Sequence, residues 1–200
     1  MSEASVPNLG SLPSRLTRLY GGLALYGLGI GLQVRSGLGT GPWDTFHQGL
    51  ARHLGLSIGT MIIGVGALVM LLWIPMRQRP GLGTISNVIF VGLFADAALF
   101  ALPASGHWAL SWLYVALSLV SIALATVLYI GAGMGPGPRD GLMTGLVRLG
   151  LSLRLGRFLI EVTVLAAGWL LGGTVGVGTL VFALAIGPLT QLFARRFPLT

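Results

Sequence analysis

The sequence contains no cysteine, all of its basic residues are arginine, and only five of its 200 residues are acidic. The absence of cysteine excludes disulfide bonds, thiolate metal sites and cysteine nucleophiles. Charged residues make up 8% of the chain, too few to cover a globular protein in water. The chain also lacks Gly-x-Ser-x-Gly and His-Glu-x-x-His motifs. We therefore expect neither a water-soluble globule nor an enzyme.

Hydrophobic residues dominate the sequence. They account for 54% of it, the mean hydropathy is +0.87, and they are arranged in long runs. This composition is typical of an integral membrane protein. The net charge of +7 comes from 12 arginines that lie mostly between the apolar runs, without a basic helix or an aromatic platform. We therefore predict the lipid bilayer as partner, and no nucleic acid.

Six apolar runs are long enough to cross a bilayer. At 1.5 Å per residue, 17 to 24 helical residues span roughly 25–36 Å, and a hydrocarbon core is about 30 Å thick. The sequence therefore predicts an all-α, polytopic membrane protein with six transmembrane helices. The predicted spans are 17–34, 58–76, 83–102, 108–131, 158–174 and 178–194.

The arginines predict the orientation of the chain. With the N-terminus in the cytoplasm, ten arginines lie on the cytoplasmic side and only Arg35 and Arg52 lie outside. Cytoplasmic loops of membrane proteins carry an excess of arginine and lysine. We therefore predict a multi-pass protein of the bacterial inner membrane with both termini cytoplasmic. Residues 1–14 are expected to form a flexible cytoplasmic segment.

An octapeptide rich in glycine and proline occurs twice. Gly-Leu-Gly-Thr-Gly-Pro-Trp-Asp at 37–44 returns 96 residues later as Gly-Met-Gly-Pro-Gly-Pro-Arg-Asp at 133–140. Glycine and proline break helices and allow close backbone approach, so each copy predicts a break in helical structure. The predicted breaks centre on Gly37, Gly39, Gly41, Gly133, Gly135 and Gly137.

The duplication extends over most of the chain. Trp73 matches Trp169 at a spacing of 96 residues, and the Gly-x-Gly-Thr turn at 81–84 matches the one at 176–179. We therefore predict a single membrane domain, 1–200, with a first repeat at 16–102 and a second at 103–196. Three spans per repeat are an odd number, so the second repeat must be inverted. Inverted repeats are characteristic of transporters and channels with a midplane site.

A short amphipathic stretch follows each octapeptide, beginning at Asp44 and at Asp140. The stretches are too short to span, so they form interfacial or re-entrant helices. An aspartate at such a position caps the helix or contacts a ligand directly, and both interpretations stay open. The free N–H groups of a buried helix start suit an anionic group, and the carbonyls of the preceding break suit a cation.

Several strings resemble one bacterial membrane protein family. Their sequences are Gly-Thr-Gly-Pro-Trp-Asp, His-Gln-Gly-Leu, Ser-Ile-Gly-Thr, Trp-Ile-Pro and Arg-Pro-Gly-Leu-Gly-Thr, at 39–44, 47–50, 57–60, 73–75 and 79–84. Together they resemble the YczE-type branch of the YczE/YitT-like proteins, over about residues 16 to 195. The resemblance implies a bacterial inner-membrane protein with a poorly defined biochemical role, and it carries over no catalytic residues.

Asp96 is the acidic residue placed deepest in a predicted span. An ionised carboxylate is costly there unless it is paired, hydrated or protonated. It predicts a proton or cation site, or else a carboxylate hydrogen-bonded to a neighbouring helix. The corresponding residue in the second repeat is the neutral Gln191. Glu161 lies one turn after Arg157, a spacing that favours an ion pair.

Three further residues stand beside the predicted breaks. Trp43 in the first octapeptide is replaced by Arg139 in the second, a difference that a directional ligand path needs. Alternatively, Trp43 is an aromatic residue at the membrane interface, and Arg139 is a cytoplasmic anchor. His47 lies one turn beyond Asp44 and suits a proton relay, or else is a solvated interfacial histidine. The histidines show no spacing typical of a metal site, and we expect no metal and no cofactor.

These observations predict a small permease-like transporter or channel for an unknown small solute or ion. Its site lies at the midplane between the inverted repeats. A chain of 200 residues is small for a transporter, so a homodimer is a reasonable assembly. The alternative is a non-catalytic accessory or scaffold protein for a membrane partner, since 32 glycines suit close helix packing of any kind. A membrane enzyme has the least support.

Overall fold

A computed structural model describes residues 11–148, 150 and 152–196 of the chain. That part is all-helical, as predicted, and contains no strand. Of the segment 1–14 that is predicted to be flexible, residues 1–10 lie outside the described residues, and residues 12–14 belong to the first helix. The helices are α1 (Leu12–Ser36), α2 (Pro42–Leu54), α3 (Ile58–Leu71), α4 (Leu82–Ala101), α5 (Trp108–Gly131), α6 (Pro138–Arg148), α7 (Leu153–Leu170) and α8 (Val177–Arg196).

The helix order of the first half returns in the second half. The short helices α2 and α6 both begin at the proline of their octapeptide, 96 residues apart. The long helices α4 and α8 begin 95 residues apart, each inside a Gly-x-Gly-Thr turn. The duplicated sequence therefore produces the same succession twice: a long helix, a short helix that begins at proline, a helix of 14 or 18 residues, and a helix of 20 residues.

Among the residues that the structure describes, three helices are long and apolar enough to cross a membrane: α4, α5 and α8. They match the predicted spans 83–102, 108–131 and 178–194. The bent pair of α2 and α3, with 112° between its helices, raises the number to four if the pair is one broken span. The predicted spans 17–34, 58–76 and 158–174 do not reach this criterion. In α1, five glycines, a glutamine and the arginines near its ends lower the mean hydropathy, α7 carries three charged residues, and α3 ends at Leu71. The six-span topology and its inversion stay predictions.

The core is built around α1 and α5. These two helices pack against each other along their length, and α4 packs against another face of α1. Small residues make the close approach possible: a Cβ atom on Gly29 would lie 2.5 Å from Ile122 Cγ1 of α5. The buried Leu19, Leu23 and Ile30 of α1 then fill the interface.

The first octapeptide stops α1 and starts α2. Gly37 adopts a left-handed conformation with φ of 68°, and its N–H donates to the carbonyl of Val34 to cap α1. Pro42 occupies the first turn of α2, where no backbone N–H is needed. The predicted helix break is confirmed at this octapeptide. The second octapeptide likewise lies between the end of α5 and Pro138 at the start of α6.

Candidate functional site: the cavity between the two short helices

Each octapeptide is held by the Gly-x-Gly-Thr turn of the other half. The N–H of Gly178 donates to the carbonyl of Leu38 at 2.7 Å, and the N–H of Gly83 donates to that of Met134, also at 2.7 Å. These two hydrogen bonds join equivalent residues of the repeat. Backbone contacts between the halves therefore fix the starting points of α2 and α6.

Trp73 secures the start of α6. Its ring lies directly against Gly141, where no side chain would fit, and its indole N–H donates to the carbonyl of Pro138 at 3.1 Å. Trp73 is 2% exposed, whereas its repeat counterpart Trp169 is 65% exposed. The two tryptophans that match in sequence thus differ in environment.

The starts of α2 and α6 meet at the centre of the molecule. The guanidinium of Arg139 lies over the ring of Trp43, with 4.8 Å from its carbon to the ring centroid. One nitrogen of the same guanidinium, Nη2, lies 3.8 Å from Oδ1 of Asp44. The two residues that make the octapeptides chemically unlike are therefore in contact with each other.

Asp44 and His47 form a buried polar pair beside this contact. Nδ1 of His47 lies 3.6 Å from Oδ1 of Asp44, and the two residues are 1% and 4% exposed. Neither atom has a hydrogen-bond partner among the residues that the structure describes. A buried polar atom without a partner is costly, so the pair is a place where a ligand or water gains binding energy.

Asp140 differs from Asp44 because its hydrogen bonds are made. Its Oδ2 accepts from the hydroxyl of Tyr129 at 2.5 Å and from the N–H of Gly137 at 3.2 Å. In the first half Gln33 occupies the position of Tyr129, and its Oε1 accepts from the N–H of Gly41 at 3.3 Å. The capping interpretation therefore describes Asp140 well, whereas Asp44 retains a free oxygen.

A cavity of about 470 Å³ lies between these helix starts and the helices α5, α7 and α8. A smaller one of about 50 Å³ lies against α3 and α4. Both are lined by Tyr26, Trp43, Arg139 and Asp140. The Trp43–Arg139 contact therefore stands where the two cavities meet. Asp44 and Gln191 line the larger cavity, and His47 lines the smaller one.

The larger cavity lies between α7 and α8, and this is where the halves differ most. In the first half α3 packs on α4, with Gly59 so close to the carbonyl of Gly92 that no side chain would fit. No comparable interface joins α7 and α8 in the described part of the chain. Gly187, the counterpart of Gly92, has no atom near its Cβ position. The duplicated helix pairs are thus closed in one half and separated in the other.

Asp96 lies away from both cavities. It is half-buried on α4, and its carboxylate accepts from Ser57 Oγ at 2.5 Å and from the N–H of Gly59 at 2.8 Å. These are the residues that begin α3, so Asp96 caps that helix from a neighbouring one. The structure therefore brings six of the seven candidate side chains to the central cavities and leaves Asp96 outside their lining.

Sequence reasoning missed several residues of the site. Tyr26, Gln33 and Tyr129 stand out only as polar groups within apolar runs, and applying the 96-residue repeat would have paired Gln33 with Tyr129. Arg157 and Glu161 line the larger cavity, and their predicted ion pair is present, with 2.8 Å between Nε and Oε1. In the described part of the chain no three His, Asp or Glu side chains are placed to hold a metal ion.

Comparisons with known proteins place the chain among bacterial membrane proteins. The model of a family of unknown function, DUF6198, matches residues 13–195. An uncharacterised protein of Haemophilus influenzae is 38% identical over 86% of this chain and 79% of its own length. The uncharacterised membrane protein YczE of Bacillus subtilis is 35% identical over 86% of this chain and 82% of its own. No solved structure matches. The expected resemblance to YczE-type proteins is confirmed.

Proposed function

The chain belongs to the DUF6198 family of unknown function, and we propose that it is a small permease-like transporter or channel of the bacterial inner membrane. In this proposal it crosses the membrane six times, with residues 16–102 and 103–196 as inverted repeats and both termini in the cytoplasm. The repeated helix order and the distribution of arginine support this arrangement. The small size of the chain supports a homodimer as the assembled form.

The observation that carries the proposal is the cavity at the meeting point of α2 and α6, where charged groups stand in a largely apolar lining. A volume of about 470 Å³ is in the range of small-molecule sites. Charged side chains line it at the starts of two short helices, as in transporters whose broken helices point their positive ends at a substrate. Most of α2 is buried, which supports a re-entrant helix over one that lies on the surface.

The difference between the two helix pairs supports alternating access. In an inverted repeat, a closed α3–α4 pair and a separated α7–α8 pair describe one of two related states. The other state closes α7 on α8 and separates α3 from α4. The Trp43–Arg139 contact between the two cavities then serves as the gate that this exchange moves.

The test of this function is flux through the purified protein in liposomes. We expect accelerated flux of at least one solute from a panel of amino acids, carboxylates, amines, monosaccharides and inorganic ions. Gly187→Trp places an indole in the cavity from a position with open space, so flux should fall to that of protein-free vesicles. Gly64→Trp is the matched control, because Gly64 also has open space but lines neither cavity.

Two results contradict the proposal. One is the absence of flux for every solute, which would favour the accessory role. The other is equal flux through both tryptophan variants and the wild type, since a solute path through the cavity cannot tolerate its obstruction.

A further inference from the structure

We infer that the larger cavity binds a small zwitterion whose carboxylate and ammonium are attached to the same carbon atom, as in an α-amino acid. The carboxylate binds to the guanidinium of Arg139, the ammonium lies beside Asp44, and the apolar part of the solute faces α5 and α8. This inference rests on the proposed function, because it names the substrate class of the same cavity.

Arg139 is the cation of the cavity whose N–H donors are available to a ligand. Its contacts are the ring of Trp43 and, at 3.8 Å, the carboxylate of Asp44. In the part of the chain that the structure describes, its guanidinium donates no hydrogen bond. A guanidinium offers a planar fork of N–H donors that matches a carboxylate with two parallel hydrogen bonds. The face of Trp43 holds that fork in a fixed plane.

Asp44 is an anion of the cavity with a carboxylate oxygen that accepts no hydrogen bond from the described residues. It is 4% exposed, lines the cavity, and its Oδ1 has no hydrogen-bond partner in the described residues. A simple anion on Arg139 would approach this carboxylate and be repelled by it. An ammonium group on the same solute removes the repulsion and supplies the donor that the oxygen lacks. The pairing of free groups therefore favours a zwitterion over an anion.

The other charges of the cavity are already balanced. Asp140 accepts from Tyr129 and from the N–H of Gly137, and Glu161 is paired with Arg157. Arg139 and Asp44 form a long ion pair with each other at 3.8 Å, without a hydrogen bond, so both groups keep hydrogen-bonding capacity for a ligand. This separation suits a solute whose two charged groups are attached to the same carbon atom.

The remaining lining accounts for the rest of the solute. Ile122 of α5 and Phe182 and Ile186 of α8 also line the cavity. Such a surface suits an apolar side chain, which gains from leaving water. The volume of about 470 Å³ accommodates an amino acid and excludes a folded peptide.

The test is calorimetric titration of the purified full-length protein in detergent. The probes are the twenty standard L-amino acids, and the one that binds most tightly is compared with its analogues lacking the amino group or the carboxylate. For leucine these are 4-methylpentanoate and 3-methylbutylamine. We expect binding of at least one amino acid, and affinities at least about tenfold lower for both analogues, because each loses a charged hydrogen bond.

Two variants test the assignment of each charge. Arg139→Gln should remove the preference for the amino acid over the amine, and Asp44→Asn should remove its preference over the carboxylate. These are changes in selectivity, which a general loss of stability does not produce. Arg139→Lys keeps the charge without the fork and should retain the selectivity at reduced affinity. Arg18→Gln, at an exposed position away from the cavity, is the matched control and should leave affinity unchanged.

Binding and flux separate the two proposals. Binding with this selectivity but without flux in liposomes would support the site and overturn transport. Flux of other solutes, with no amino acid bound, would support transport and overturn the zwitterion. Equal binding of an amino acid and its carboxylate analogue would also overturn the zwitterion proposal. The same holds if, of the amino acids and the zwitterionic lipid dihexanoyl phosphatidylethanolamine, only the lipid binds.

Discussion

Trp73 and Trp169 occupy equivalent positions of the repeat, yet we expect their removal to have very different effects on stability. Trp73 is 2% exposed and holds the start of α6, while Trp169 is 65% exposed. The perturbation is Trp73→Ala, compared with Trp169→Ala. The pair is a matched experiment, because the substitution is the same and only the packing differs.

The magnitude follows from what each ring contacts. Truncating a buried tryptophan costs about 3–5 kcal/mol, through lost burial and the cavity left behind. Trp73 also donates to the carbonyl of Pro138 at 3.1 Å, a hydrogen bond with a net value of about 1 kcal/mol that is included in this figure. An exposed ring makes few such contacts, so Trp169→Ala should change the free energy of unfolding by less than about 1 kcal/mol.

The assay is reversible unfolding of the full-length protein by dodecyl sulfate in mixed micelles, followed by circular dichroism of the helices. Trp73→Phe keeps most of the apolar ring and loses the indole donor, so an intermediate loss of about 1–2 kcal/mol is expected. Equal destabilisation by the two alanine substitutions would refute the reasoning. The closed packing of α6 against Trp73 would then be wrong.

Two further predictions concern the helix pairs α3–α4 and α7–α8. Asp96→Asn should lower the free energy of unfolding by about 1 kcal/mol, as loss of a helix cap does, and leave flux unchanged; loss of flux at wild-type stability would instead place Asp96 in the solute path. Because the chain has no cysteine, cross-linking reports helix approach without background. The pair Ser57→Cys and Asp96→Cys should form a disulfide readily, since their side chains touch. The equivalent pair is Ser152→Cys and Gln191→Cys, because Ser152 caps α7 as Ser57 caps α3. It should form a disulfide only when α7 closes on α8, and rapid formation in every condition would contradict an open cavity.

Much of the fold was accessible from local sequence. Gly37 and Pro42 confirm the predicted break because left-handed glycine and first-turn proline act within a single turn. The apolar runs predicted α4, α5 and α8 nearly to the residue. The predicted span 58–76 is longer than the helix that the structure shows there, because α3 ends at Leu71 and a turn follows.

The site was accessible only in part. The positions of Asp44 and Arg139 beside the breaks predict site residues, and the structure brings the two together. The depth of Asp96 in an apolar run predicts a proton or cation site or a hydrogen-bonded carboxylate, and in the structure it caps α3. Apolar sequence around a carboxylate indicates that it needs a partner, but the partner lies 39 residues away in the chain. Local hydropathy contains no information about that distance.

By itself the sequence determined the class of protein, the succession of long and short helices, and the place of each break. These properties depend on hydropathy and on glycine and proline, which act within a few residues of their position. Only the tertiary structure decided which copy of each repeated residue is buried, which helix pair is closed, and which charges meet. Those outcomes depend on contacts between residues far apart in the sequence, such as Trp73 with Pro138, Gly59 with Gly92 and Asp44 with Arg139, which local sequence patterns do not specify.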